Sequence, residues 1–194
     1  TKLVLAKSPV YKKYGDSKNW NCAVCETPIQ KGKGLFFGLN WGGDNIGQQT
    51  LYPTRERLNG RHWKFVSNSR KYFSRYLNEE IEDLNYSNLC FFRSPNIKSL
   101  VPEDWDLGIP LFKKYVDFVQ PSWALMLGNP EPLKKDHIEN LERINVMDKN
   151  NGRRVFGYTG KLFGTYLFGS VPHTGAKISS DARNEIWQRV TSKL

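Results

Sequence analysis

The chain has 194 residues, 39% hydrophobic and 25% charged. That is enough apolar material for one packed domain and argues against a wholly disordered chain. Lys+Arg 29 against Asp+Glu 19 leaves a net charge of +10, and no apolar run reaches the ~18 residues that span a bilayer, so a membrane partner is not expected. The charge is uneven: residues 1–75 hold 14 basic and 4 acidic side chains, whereas residues 76–194 hold 15 of each. A cationic front suits a polyanion, because Lys and Arg displace counterions along phosphates. A merely soluble basic protein is the plainer alternative.

No repeat or linker divides the chain, so a single domain over 1–194 is expected, with 1–33 as a basic N-terminal extension packed on it. A secretory signal is not expected from the residues that follow Thr1. Three cysteines, Cys22, Cys25 and Cys90, form no disulfide framework; a reducing cytoplasm and a monomer are expected. Cys22-x-x-Cys25 is half of a metal site at most, since a four-thiolate site needs more ligands.

Four short apolar runs then read as strands covered on both faces: 35–39 (LFFGL), 89–92 (LCFF), 123–127 (WALML) and 165–171 (TYLFGSV). Continuous rather than alternating apolarity marks a parallel sheet under helices. Helical spacing joins Phe73, Leu77, Ile81 and Leu84 over 71–84, Leu111 to Val119 over 111–119, and His137, Ile138, Leu141 and Ile144 over 134–144. A last helix starts at Ser179 or Ser180, with Asp181 in its first turn. Strands alternating with helices predict an α/β fold, a three-layer αβα sandwich around a central four-stranded, mainly parallel sheet.

In such sheets ligands bind beyond the carboxyl ends of the strands, and the strand ends here are polar and glycine-rich. Gly38-Leu39-Asn40-Trp41-Gly42-Gly43-Asp44 follows the first run. Its Asn40 could orient a water by donating and accepting hydrogen bonds; a plain turn with Asn left-handed is the other reading. The Gly-Lys-Ser/Thr ending of a P-loop is absent. Asn88 offers one acceptor and two donors, enough to read a pyrimidine edge, or it caps a strand edge. His173 could donate to an oxygen that gains charge as a bond breaks, or it is an ordinary loop histidine; His62 and His137 read as structural. Residues 48–64 interleave Arg55, Arg57, Arg61 and Lys64 with Tyr52 and Trp63, a pattern of cations for phosphates and rings for bases, with core packing as the alternative for the rings.

In this order the elements resemble the uracil-DNA glycosylase superfamily, from about residue 34 to the end. Gly38-Leu39-Asn40-Trp41-Gly42 resembles the Gly-x-Asn-Pro-Gly motif, with Trp41 in place of proline. Leu51-Tyr52-Pro53 and Asn59-Gly60-Arg61-His62-Trp63 resemble the aromatic-Pro and Asn-x-x-aromatic-Trp stretch, and Ser87-Asn88-Leu89 the Thr-Asn-hydrophobic element. Residues 110–128 resemble the helix and strand ending in Leu-Gly, and Pro172-His173-Thr174-Gly175 the His-Pro-Ser motif.

The resemblance implies a monofunctional DNA N-glycosylase of base excision repair that flips out uracil or a related damaged base and hydrolyses its glycosidic bond. Its partner would be lesion-containing DNA, duplex or single strand. Asn40 would orient the water, with Asp44 contributing because the most active branch has Asp at the position of Asn40. Tyr52 would stack on the base, Asn88 would bind its polar edge beside Gly38 and Trp41, and His173 would stabilise the departing base. Thr174, Gly175 and Lys177, with Arg55 and Arg57, would contact DNA. A glycosylase for a modified phage or host base, and a non-catalytic DNA-binding relative, are the alternatives. Cys22, Cys25 and Cys90 sit where the iron–sulfur branch has three of four cysteines; the fourth falls near Gly108, which is no ligand, so neither metal nor other cofactor is expected.

Overall fold

Successive residues of the first strand serve opposite layers. In a computed structural model, which describes residues 7, 25, 27–41, 64–93, 98, 100–134 and 136–194, strand β1 runs Leu35–Trp41. Phe36 packs on one side with Phe73 and Trp187, and Phe37 on the other with Phe112 and Phe168. Helix α1 (Lys64–Leu77) leads to β2 (Asn85–Arg93), and helix α2 (Pro102–Val119) leads to β3 (Ala124–Leu127). Strands β4 (Ile138–Asp148), β5 (Arg153–Leu162) and β6 (Tyr166–Val171) precede helix α3 (Ser180–Thr191). Phe73 of α1 and Trp187 of α3 share one apolar layer; Phe112 and Val116 of α2 belong to the other. Helices therefore cover both faces of the sheet.

The sheet has six strands in the order β2-β1-β3-β6-β5-β4. The first four are mutually parallel; β5 and β4 add on antiparallel. The four apolar runs of the sequence are those four parallel strands. The expected four-stranded sheet is corrected to six: residues 134–144, expected as a helix, lie mostly in β4, and Arg153–Leu162, assigned no element from the sequence, forms β5. A bulge between Glu139 and Glu142, with Asn140 at φ +52°, breaks the strand's alternation. The burial of Ile138 and then Ile144, Val146 and Asp148 thereby mimics a helical period across the bulge and reads as period two only beyond it. The helix expected over 71–84 sits at Lys64–Leu77, closed by Asn78 at φ +53°; Ile81 falls in a separate 3-10 turn and Leu84 in the linker before β2.

Helix α1, between β1 and β2 in the chain, packs in one layer and α2, between β2 and β3, in the other. In the sheet β2 lies beside β1 on one side, while the strands that follow β3 all lie on its other side, so the adjacent strands β1 and β3 flank the switch point where open α/β sheets form a crevice. Cys25, Thr27 and Gln30 contact β2: Cys25 bridges Ser87, Thr27 Oγ1 accepts from the Tyr86 N–H at 2.9 Å, and Asn85 bonds both the N–H and the carbonyl of Gln30. Residues 1–6, 8–24 and 26 of the expected N-terminal extension lie outside the described residues. Among the described residues no helix is long and apolar enough to cross a membrane.

Candidate functional site

Gly38 is paired with Asn88 across β1 and β2. A Cβ on Gly38 would lie 2.5 Å from Asn88 Oδ1, so only glycine leaves the amide where it is; a larger residue would push it aside. Asn88 is 2% exposed and lies inside β2. Its Nδ2 is buried with no partner among the described residues. An unmet buried amide donor costs about 1–3 kcal/mol, and a buried carboxamide with its nitrogen unmet is suited to receive an acceptor from outside. Five buried side-chain atoms are unmet among the described residues, and two of them, Asn88 Nδ2 and Thr174 Oγ1, belong to this end of the sheet.

The register continues the row. Phe37 pairs with Met126, and Leu127 pairs with Val171, so Gly38 comes level with Leu127 and Val171. Asn40 on β1, half-buried, and His173 beyond β6 each lie two residues past that level. Strands are ~4.8 Å apart, so β1 and β6, with only β3 between them, are separated by about 10 Å. Between them β3 ends at Gly128, whose N–H donates to the Val171 carbonyl at 2.8 Å and whose carbonyl accepts from Ser170 Oγ at 2.6 Å.

The segment after β6 is fixed from α3. Arg183 is 7% exposed; its Nη1 donates to the His173 carbonyl at 3.0 Å and its Nη2 to the Ala176 carbonyl at 2.6 Å. The Ala176 N–H closes a turn onto the His173 carbonyl at 2.8 Å. His173 Nδ1 accepts from the Gly175 N–H at 3.0 Å, so the neutral ring carries its proton on Nε2. Although the residue keeps an exposed surface, withdrawal of its ring from water pulls the His173 pKa below the ordinary histidine value, and the Arg183 charge adds to this. The outcome is a neutral imidazole with Nε2–H as its donor. Sequence reasoning missed Arg183: a charged residue just ahead of the apolar stripe of α3 gives no sign that it binds carbonyls seven and ten residues earlier.

The structure brings Gly38, Asn40, Asn88 and His173 to one end of the parallel strands. Thr174 is buried, so its hydroxyl does not present itself at the surface as Gly175 and Lys177 do. Asp44, Tyr52, Arg55, Arg57 and the side chain of Trp41 lie outside the described residues. Cys25 and Cys90 share one apolar layer. Burial, and then the nearby Asp104, push the Cys90 thiol far above its ordinary range, and its Sγ lies 3.1 Å from where a Cβ of Gly108 would be. Cys22 lies outside the described residues, and among those described no three His, Cys, Asp or Glu side chains are grouped to hold a metal. No family model matches the chain, and no curated protein matches it.

Proposed function

We propose that the chain is a monofunctional DNA glycosylase that extrudes uracil or a related base from DNA and hydrolyses its N-glycosidic bond, on a uracil-DNA glycosylase-like fold. A base inside a duplex is unreachable, and flipping it out costs a few kcal/mol. As the bond from sugar to base breaks, its electron pair leaves with the base while positive charge spreads over the sugar. A water then adds to the sugar carbon, forming its hydroxyl, and the proton it loses neutralises the departed base anion. In this scheme Asn88 binds the polar edge of the base, and His173 donates through Nε2 to the base oxygen that gains charge. Asn40 orients the water. A neutral imidazole can perform that task because the Gly175 N–H occupies Nδ1, leaving Nε2–H as a fixed donor. Asp44, Tyr52, Arg55 and Arg57 keep the roles the resemblance implies.

The observation that carries this reading is the buried Asn88 amide, its nitrogen unmet, beside a glycine at the switch-point end of the sheet. The four parallel strands, their divergent connections and the tautomer of His173 support it. Purified protein is tested on oligonucleotides carrying uracil, xanthine or hypoxanthine, single- and double-stranded. Abasic product is expected from at least one, with Asn88→Ala and His173→Ala each slower by about 10²–10³-fold. No abasic product from any lesion would overturn the proposal.

A further inference from the structure

The β4–β5 hairpin has no part in the site described above, yet its tip rises at the same end of the sheet. Strand β5 runs antiparallel to β6, with Tyr158 opposite Ser170. Each step toward Arg153 is therefore a step toward the carboxyl end of β6. Strand β5 thus runs on through Phe156 and Arg154 past the level at which β6 ends.

The tip is tied down. One oxygen of Asp148, Oδ2, accepts from the Ser179 N–H at 3.0 Å and from Asn151 Nδ2 at 3.0 Å, and Oδ1 accepts from the Asn150 N–H at 3.1 Å. Gly152, at φ +66°, donates its N–H to the Asp148 carbonyl at 2.8 Å. Ser179 is also the N-cap of α3, its Oγ accepting from the Ala182 N–H. The hairpin tip and the segment carrying His173 are thus joined into one rim.

On that rim Lys149, Arg153 and Arg154 are all exposed, and none is paired with a carboxylate among the described residues. The acid within the tip, Asp148, is buried and already accepts three donors. Three exposed cations on a fixed turn, none of them salt-bridged among the described residues, complement a row of phosphates. Resting on the reading of the chain as a DNA glycosylase, we infer that the β4–β5 tip grips the phosphodiester backbone of DNA beside the extruded nucleotide, through Lys149, Arg153 and Arg154. The tip supplies sequence-independent hold, and the strand ends supply the choice of base.

The test is binding of the full chain to a fluorescent uracil-containing duplex as a function of salt. Each phosphate contact contributes about 0.9 to the slope of log affinity against log salt. The variant Lys149→Ala/Arg153→Ala/Arg154→Ala is expected to lower that slope by about 2–3, and Lys149→Ala alone by about 1. Asp148, Asn151 and Gly152 are untouched, so thermal melting stays that of the parent. A control, Lys114→Ala/Lys161→Ala, removes exposed cations toward the opposite end of the sheet and is expected to leave the slope unchanged. A triple variant with the parental slope, or a control that loses as much as the triple variant, would overturn the inference and leave the glycosylase reading intact. A slope difference in a parent that excises no lesion would sink the glycosylase reading alone. A parent that binds no DNA would end both.

Discussion

Gly38 lacks a side chain because Asn88 Oδ1 occupies the space where one would go. A methyl group there meets the far end of a side chain rather than backbone, so Gly38→Ala is expected to fold and to turn the amide aside. Its excision rate should fall about as far as that of Asn88→Ala, by about 10²-fold or more. The double variant should be little worse than either single one, because both remove the same contact. Additive losses in single-turnover rates would mean that Gly38 acts independently of Asn88. The residue types at 38, 40, 88 and 173 were legible from sequence because glycine, amide and imidazole at strand ends are suited to few tasks. The clamp by Arg183 was not, since its partners are backbone carbonyls that carry no sequence signal.

His173 titrates in a direction set by its surroundings. Burial, and then the Arg183 charge, lower its pKa, and a proton on Nδ1 would end the bond from Gly175. As pH falls, an unfolded chain therefore takes up this proton first. The stability this group contributes is full above the ordinary histidine value of about 6.5 and is lost as pH falls through the folded value. The acid limb of kcat/KM is expected below that ordinary value, and an NMR titration of the ring should match it. Arg183→Gln should move the midpoint upward; an unchanged midpoint would remove Arg183 as a cause.

At the scale of elements, α3 lies so close to the sheet at Gly157 and Gly169 that a side chain there would clash. A Cβ on Gly169 would come 2.8 Å from Val190 Cγ1 and 3.0 Å from Leu125 Cδ1. Gly169→Ala should therefore cost about 1–3 kcal/mol in denaturant unfolding. The β4–β5 hairpin was misread where the bulge shifts its phase, although Asn151-Gly152 between two alternating stretches is a recognised hairpin signal. Its anchor has its own pH signature. Hydrogen bonds from Ser179, and more weakly from Asn150 and Asn151, hold the Asp148 carboxyl below its ordinary range against the opposing effect of burial. Its stabilisation is present above the unfolded value of about 3.9 and is lost as pH falls through the folded one. Asp148→Asn should melt several degrees below the parent at neutral pH, with the gap narrowing once the pH passes below about 4. A gap that stays constant through that range would show that the carboxylate's charge is not what holds the turn.

For the whole molecule, the parallel part of the sheet was legible because each of its strands is apolar on both faces, as burial between two helical layers demands. The two added strands were less so, since β4 has only one covered face and its alternation is interrupted. Net charge argued for a polyanion from the first 75 residues, while the sheet adds a second, smaller group of cations on the hairpin. The account as a whole depends on the strand ends acting as one base-binding site. Single-turnover excision from a uracil-containing oligonucleotide, run with the parent, Asn88→Ala and His173→Ala at equal folded fractions, tests this most directly. The account predicts abasic product from the parent and a loss of about 10²–10³-fold in each variant; equal rates in all three, or no product from the parent, would contradict it.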